Sequence, residues 1–297
     1  MNKTAAVVVT YNRKDLLLEN IYCLLHQEDA ACDVFIIDNA STDGTEEALA
    51  EVKRDERVHY VNTGANLGGA GGFHFGIKKA VEAGYEYIWI MDDDCMPAKH
   101  CLKRFLNADK DLAGEYGFLS SRVLWKDRKP CVMNLQRKTL TKPIEKFDQR
   151  LIPVVMASFV SLFIKSSVVK ELGLPIKEFF IWTDDWEFTR RISREYPCYV
   201  VSDSVVLHKS QNNVGAHISE DDIDRLDRYG YLYRNDVYLY RREGFKGFSY
   251  ETVRLSGHIV RIILHAKDHR MARIKKVISG TKNGLKFHPE IEYVDED

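Results

Sequence analysis

Residues 85–94 read YEYIWIMDDD, an apolar run of aromatic and β-branched side chains that ends in three consecutive aspartates. Such a run is typical of a buried strand. Three carboxylates placed together at a strand end repel one another unless a cation joins them. Because Mg²⁺ and Mn²⁺ prefer oxygen ligands and are often shared with substrate phosphates, the run predicts a metal site rather than a solvated acidic turn.

Upstream of this run, short apolar stretches alternate with helical patterns. The stretches are 5–9, 34–37 and 58–61, and the helical patterns cover 14–27, about 45–53 and the residues after 73. This alternation predicts a parallel sheet with helices on both faces. Ligands bind such sheets beyond the carboxyl ends of the strands, which is where the polar motifs of this chain fall.

Two polar motifs follow the other predicted strands. Asp38 comes directly after an apolar stretch, and it is either a turn or cap residue or a hydrogen-bonding group for a base or ribose. The run Gly68-Gly69-Ala70-Gly71-Gly72 predicts a Gly-rich loop, because glycine lets the backbone approach a phosphate or sugar closely. A turn that caps the next helix is the alternative, and the residues alone leave both questions open.

The middle of the chain is less regular, with strand patterns at 123–125, 154–156 and 158–164 and a polar, basic loop over 126–150. Asp184 and Asp185 lie between Trp182 and Trp186. Burial beside aromatic rings suits a carboxylate to general-base work, although on local grounds an acidic helix N-terminus is favoured. His208 follows an apolar strand and, taken alone, is more typical of a structural histidine than of a ligand.

The tail has a different character. Residues 241–286 contain 12 Lys and Arg against three Asp and Glu, with apolar residues interleaved. The pattern predicts two basic amphipathic helices. They either lie on an anionic membrane surface or pack on the core as a helical subdomain with a solvated basic face.

The composition sets further bounds. A net charge of -1 over 297 residues gives no strong field that would attract nucleic acid. Six cysteines without a Cys-x-x-Cys pair do not indicate a disulfide framework in a chain of this length. The apolar run after Thr4 is too short for a signal peptide. We therefore expect a cytoplasmic protein, with peripheral contact to the inner face of the cell membrane as a further hypothesis.

Taken in order, five motifs resemble family 2 inverting glycosyltransferases with the GT-A fold. They are Val-Val-Val-Thr10-Tyr11-Asn12-Arg13, Ile-Asp38-Asn39-Ala-Ser-Thr-Asp43-Gly44-Thr45, Met91-Asp92-Asp93-Asp94, Trp182-Thr-Asp184-Asp185-Trp-Glu187-Phe and His208. The segment Asn66-Leu-Gly-Gly-Ala-Gly-Gly-Phe73 and the triple aspartate look most like those of bacterial galactofuranosyltransferases.

The resemblance implies an α/β, Rossmann-like GT-A domain over residues 1–215, with a mainly parallel sheet flanked by helices. Its nucleotide-sugar half covers about 1–98 and its acceptor half about 99–215, and a basic helical region covers 216–297. The resemblance also implies a Mn²⁺ or Mg²⁺ ion on Asp92, Asp94 and His208, and catalysis by Asp185 with Asp184. Donor binding is implied for Thr10, Tyr11, Asn12, Arg13, Asp38, Asn39, Asn66, Gly68, Gly69, Asp93 and Trp182.

The implied reaction moves a sugar from UDP-galactofuranose to a glycan or polyprenyl-linked acceptor in bacterial cell-surface polysaccharide synthesis, such as O-antigen or capsule. A rhamnosyltransferase that uses dTDP-rhamnose is the alternative. A sugar nucleotidyltransferase usually has a glycine in its N-terminal loop, and residues 10–13 contain none. The acidic clusters argue against a nucleic-acid-binding protein. A homo-oligomer is a further hypothesis.

Overall fold

The computed structural model describes residues 3–294, so residues 1–2 and 295–297 of the predicted terminal regions lie outside it. The strands within this range are β1 (Thr4–Thr10), β2 (Asp33–Asp38), β3 (Val58–Asn62), β4 (Tyr87–Asp92), β5 (Cys95–Pro97), β6 (Phe118–Trp125), β7 (Leu151–Pro153), β8 (Leu162–Lys165) and β9 (Tyr199–His208).

The helices alternate with these strands in the first half of the chain and follow them in the second. They are α1 (Lys14–Leu25), α2 (Thr45–Ala48), α3 (Gly68–Glu82), α4 (Cys101–Asp111), α5 (Ser166–Leu172), α6 (Asp184–Ile192), α7 (Leu226–Arg241), α8 (Gly244–His265) and α9 (Arg270–Lys286). No helix within residues 3–294 is long and apolar enough to cross a membrane.

The strands form one sheet in the order β3-β2-β1-β4-β8-β6-β9-β5, with β7 paired to β9. The first four strands are parallel, and every residue of β1 and β2 is buried, as expected for a sheet covered on both faces. The predicted α/β fold is confirmed. The remainder of the sheet is mixed, because β8 runs antiparallel to both β4 and β6 whereas β6 and β9 are parallel.

One predicted strand was wrong. Residues 154–156 are not a strand, since β7 ends at Pro153 and Met156 makes only an isolated bridge to Arg137. The apolar strand that precedes His208 is ten residues long, and His208 is its last residue. Residues 241–286 form two helices, α8 and α9, as predicted; α7 precedes them, and α9 packs along α7.

Candidate active site

The carboxyl ends of β1, β2 and β4 lie side by side. The strand register pairs Thr10 with Asp38 and Val9 with Asp92. Residues that are far apart in the sequence therefore meet at one edge of the sheet, which is where parallel sheets bind ligands.

The triple aspartate forms a turn, and cationic or polar side chains contact its carboxylates from two sides. Asp94 Oδ1 lies 3.0 Å from His208 Nε2, and its Oδ2 accepts a 2.8 Å hydrogen bond from the Arg13 guanidinium. Asp93 accepts a 2.7 Å hydrogen bond from the Thr10 hydroxyl, and it lies 3.4 Å from the same guanidinium. The predicted group of Asp94 and His208 is thus assembled, because β9 brings His208 opposite Cys95.

The three aspartates differ in their electrostatics. Burial raises the pKa of Asp92 to about 7, and repulsion from Asp94 adds to this. Burial also raises the pKa of Asp93 to about 6, against the opposing charge of Arg13. Burial alone would raise the pKa of Asp94, but the hydrogen bond and charge of His208, together with Arg13, lower it. Asp92 is the carboxylate whose charge is least compensated.

The donor set fits a hard divalent cation. Asp92 and Asp94 offer carboxylate oxygens, and a cation between them would supply the charge that Asp92 lacks. His208 Nδ1 lies 2.8 Å from the Asn134 side-chain oxygen, which fixes the proton on Nδ1 and directs Nε2 toward Asp94. Single ligand atoms of Asp94, Cys95 and His208 all lie within 4.8 Å of one another; Asp92 is not part of that group but lines the adjoining cavity. Burial and the aspartate charges raise the pKa of the Cys95 thiol well above the ordinary range, and a thiol is a poorer ligand than a carboxylate for a hard cation.

The residues predicted to bind the nucleotide lie at the same edge of the sheet, where they form hydrogen bonds with other protein groups. The two Asp38 carboxylate oxygens accept 2.8 Å hydrogen bonds from the Tyr60 hydroxyl and the Ser41 amide. Asn12 has a left-handed backbone, and its side chain accepts a hydrogen bond from the Thr42 amide. Tyr11 is exposed. These contacts pre-form the loop after β1 against the loop after β2.

Asn39 is buried next to the glycine run. Its side-chain nitrogen donates a 3.0 Å hydrogen bond to the Gly68 carbonyl, while its side-chain oxygen has no partner among the described residues. Asn66 is exposed, and its side-chain oxygen accepts a hydrogen bond from the Gly68 amide.

The prediction of a Gly-rich loop was wrong, because the run is the first turns of α3. A Cβ at Gly72 would lie 2.6 Å from Val9 Cγ1, so this glycine lets α3 pack closely on β1. Gly68 has φ +71°, and a Cβ there would lie 2.2 Å from the Phe180 carbonyl oxygen. At Gly69 a Cβ would have nothing within 4 Å. Most of the run therefore serves packing.

Asp184 and Asp185 are the first residues of α6. Asp184 is buried, whereas Asp185 is partly exposed. Burial raises the pKa of Asp184 to about 6. Burial and the neighbouring Asp184 charge raise the pKa of Asp185 well above its ordinary value. A raised pKa near neutrality is what a general base needs.

The turn before α6 has an unusual backbone. Phe180, Trp182 and Thr183 all have positive φ angles of 63–69°, which side chains other than glycine rarely adopt. Asn235 on α7 stabilises this turn, because its side-chain nitrogen contacts the carbonyl oxygens of residues 179, 181 and 182 at 2.9–3.1 Å.

Asp236, the next residue of α7, also stabilises the turn before α6. Asp236 accepts a 2.7 Å hydrogen bond from the Thr183 hydroxyl and is ion-paired with Arg254 on α8. Arg254 also contacts Glu251 at 2.8 Å. The helical region thus fixes the backbone that presents the second acidic pair.

A cavity of about 820 Å³ joins the two acidic clusters. The predicted site residues that line it are Arg13, Gly69, Asp92, Asp94, Trp182, Asp184 and Asp185. Asp93 points instead to Thr10, and the Asp38 group lies on the adjoining strand ends. The volume is sufficient for a drug-sized ligand.

Several cavity residues were missed by the sequence interpretation. Asn134 and Arg137 come from the loop that follows β6, and the Arg137 guanidinium lies 3.6 Å from the Trp186 ring centre. Two groups come from the helical tail, at helical spacing on α7 and on α8. These are Leu232, Asp236 and Tyr240, and Arg254, His258 and Arg261.

A mixed α/β sheet with an acidic turn at its strand ends and a second acidic pair across a cavity defines a GT-A glycosyltransferase. Residues 5–160, more than half of the chain, match the model of the family described as Glycosyl transferase family 2. The chain therefore belongs to that family, as the motif order predicted.

Two mycobacterial galactofuranosyltransferases are among the relatives of this chain. Galactofuranosyltransferase GlfT1 of Mycolicibacterium smegmatis is 24% identical over 255 residues, which is 81% of this chain and 84% of that protein. GlfT1 of Mycobacterium tuberculosis is 26% identical over 212 residues, or 68% of this chain and 69% of that protein.

Among solved structures, S. aureus TarS 1-349 is similar with a TM-score of 0.56 at 16% identity, over 97% of this chain and 72% of that one. At this identity the likeness concerns the fold. The same TarS segment has structures in complex with UDP and with UDP-GlcNAc, with TM-scores of 0.55 and 0.54 to this chain.

Proposed function

We propose that this family 2 enzyme is an inverting, metal-dependent galactofuranosyltransferase that uses a UDP-sugar. The observation that carries the proposal is the pair of acidic clusters on one cavity, one opposed by Arg13 and His208 and the other with raised carboxyl pKa values. The GlfT1 relatives support the sugar, and the TarS complexes with UDP support the nucleotide.

The donor lies across the strand ends. Asp38 keeps free lone pairs on both oxygens and accepts hydrogen bonds from the base or ribose, and the loop of Thr10, Tyr11, Asn12 and Arg13 holds the nucleoside and diphosphate. Residues beside the donor sugar are Asn39, Asn66, Gly68, Gly69, Asp93 and Trp182.

Asp92, Asp94 and His208 would hold Mn²⁺ or Mg²⁺. When bound, such an ion neutralises the charge that develops on the departing diphosphate. Asn134 keeps His208 in the tautomer that this ligand set requires.

Asp185 acts as the general base. It takes the proton from an acceptor hydroxyl while that oxygen bonds to the anomeric carbon, and the bond to the diphosphate breaks with its electron pair on the diphosphate oxygen. A single displacement of this kind inverts the anomeric configuration. Asp184 and the left-handed turn before it set the position of the Asp185 carboxylate.

The acceptor is a glycan or polyprenyl-linked glycan of a bacterial cell-surface polysaccharide, modified at the cytoplasmic face of the membrane. A putative teichuronic acid biosynthesis glycosyltransferase of Bacillus subtilis matches a shorter stretch of the chain, with 27% identity over 128 residues. That description agrees with a surface polysaccharide as the acceptor.

A donor-hydrolysis screen tests the proposal. UDP-galactofuranose, UDP-galactopyranose, UDP-GlcNAc and dTDP-rhamnose are incubated with the enzyme and Mn²⁺ or Mg²⁺, and release of UDP or dTDP is measured. We expect release from UDP-galactofuranose that stops with a chelator. Preferential release of dTDP would show a rhamnosyltransferase, and silence with all four donors would overturn the proposal.

A further inference from the structure

Helix α8 exposes its large apolar side chains to solvent and turns polar side chains toward the protein. Six large apolar side chains on it are 52–84% exposed, namely Phe245, Phe248, Val253, Val260, Ile263 and Leu264. At 3.6 residues per turn they lie within an arc of about 160°. Its opposite side carries Glu251, Arg254 and His258, of which Glu251 is buried and the other two line the cavity.

The charges on the exposed face of α8 have one sign. Lys246 is exposed, while Glu251, the one carboxylate between residues 244 and 265, is buried against Arg254. Arg261 lies at the edge of this face, where it pairs with Glu220 and lines the cavity. Lys267 and Arg270 follow the end of the helix and are exposed, and Asp268 between them is paired with Arg273. The face therefore presents apolar side chains with cations and without a free carboxylate.

We propose that this face of α8 docks on an anionic lipid bilayer, with α8 lying in the plane of the interface. A helix with an exposed apolar stripe and flanking cations binds an anionic interface by burying the stripe below the headgroups. At 22 residues α8 is about 33 Å long, so the whole apolar stripe can be immersed at once.

A second copy of the chain fits this face less well. A two-fold contact through α8 would bring Lys246 of one copy against Lys246 or Lys267 of the other, and these charges repel. An anionic surface complements those charges instead.

The docking places the active site next to the membrane. Arg254, His258 and Arg261 line the cavity from the side of α8 opposite its apolar stripe, so the docked helix would place the cavity about one helix diameter (~10 Å) from the bilayer surface. This consequence rests on the proposed function, whereas the docking itself is independent of catalysis.

Co-flotation with vesicles tests the docking without any donor present. The full chain is mixed with phosphatidylcholine vesicles that contain or lack phosphatidylglycerol. We expect binding to the anionic vesicles, and a fall on the order of tenfold or more in the Phe245→Ser, Leu264→Ser double variant. The matched control is Tyr22→Ser, which removes an exposed aromatic ring from α1 and should leave binding unchanged.

Three results separate the outcomes. Absence of wild-type binding to anionic vesicles, or equal binding by the double variant, would overturn the docking. A wild-type dimer in sedimentation that the double variant converts to a monomer, without vesicle binding, would show a contact between copies and also overturn it. Donor hydrolysis is measured on the same samples, and we expect the double variant to retain it. Vesicle binding without hydrolysis would refute the proposed function alone.

Discussion

Asp94 and Asp185 are both carboxylates on the wall of one cavity, yet their pKa values move in opposite directions. Near Asp94, the cationic partners Arg13 and His208 outweigh burial and lower the pKa. Near Asp185, burial and the Asp184 charge raise it. A lowered pKa favours a permanent negative charge that binds cations, whereas a raised pKa favours a group that can accept and release a proton. The comparison favours cation binding at Asp94 and proton transfer at Asp185; it does not extend to whole clusters, because burial also raises the pKa of Asp92 to about 7 and of Asp93 to about 6.

The largest expected effect comes from removing the proton acceptor. Asp185→Asn keeps the shape of the side chain, and we expect transfer to fall by about 10²–10⁴-fold because general-base catalysis contributes that much. Steady-state transfer rates measure it, with Glu195→Gln, an exposed carboxylate just beyond α6, as the control. Near-wild-type turnover in Asp185→Asn would remove the second cluster from the mechanism.

Asn134→Leu tests whether His208 belongs to the metal-binding cluster. It removes the partner of His208 Nδ1 without touching a carboxylate, and we expect Mn²⁺ affinity to fall roughly 10- to 100-fold. Calorimetric titration with Mn²⁺ measures the change, and the exposed Asn283→Leu on α9 is the control. Unchanged affinity would mean that His208 is not a ligand.

A smaller effect is expected from Asn235→Asp, which keeps the side-chain shape but removes the donor to three carbonyl oxygens of the strained turn. We expect kcat to fall roughly tenfold with the donor KM unchanged, because the carboxylates of α6 are misplaced while the strand-end site stays intact. A variant that loses thermal stability but keeps kcat would show a purely structural role. Asn283→Asp serves as the control.

The pH profile gives the mildest test. The base must be deprotonated, and burial raises the pKa of the Asp184–Asp185 pair, to about 6 at Asp184. Because the raised pKa of Asp185 delays its deprotonation, we expect the acid limb of the kcat profile to lie above the ordinary range of an aspartate, with kcat falling roughly tenfold per pH unit below that pKa. An acid limb at the pKa of an ordinary exposed aspartate would contradict this.

The sequence predicted the first half of the site well because its signals are local. An apolar run followed by aspartates shows both the buried strand β4 and the acidic turn at its end. The parallel register then places Asp92 opposite Val9 and Asp38 opposite Thr10, at the same edge of the sheet. The glycine run was misjudged for a physical reason. Glycine serves close helix packing as well as loops, and only the contacts with Val9 and Phe180 distinguish the two.

The second half could not be predicted in the same way. Asn134 reaches His208 from an irregular loop that has no periodicity. The cavity face of α8 was visible as Arg254, His258 and Arg261 at helical spacing, but the same pattern is typical of a solvated basic face.

Calorimetric titration of UDP in the presence of Mn²⁺ into Asp94→Asn and Asp185→Asn tests the division between the clusters most directly. We expect Asp185→Asn to bind UDP with wild-type affinity and Asp94→Asn to lose the Mn²⁺-dependent part of the binding. Equal loss of affinity in both variants would contradict this expectation, because the two clusters would then form a single binding site.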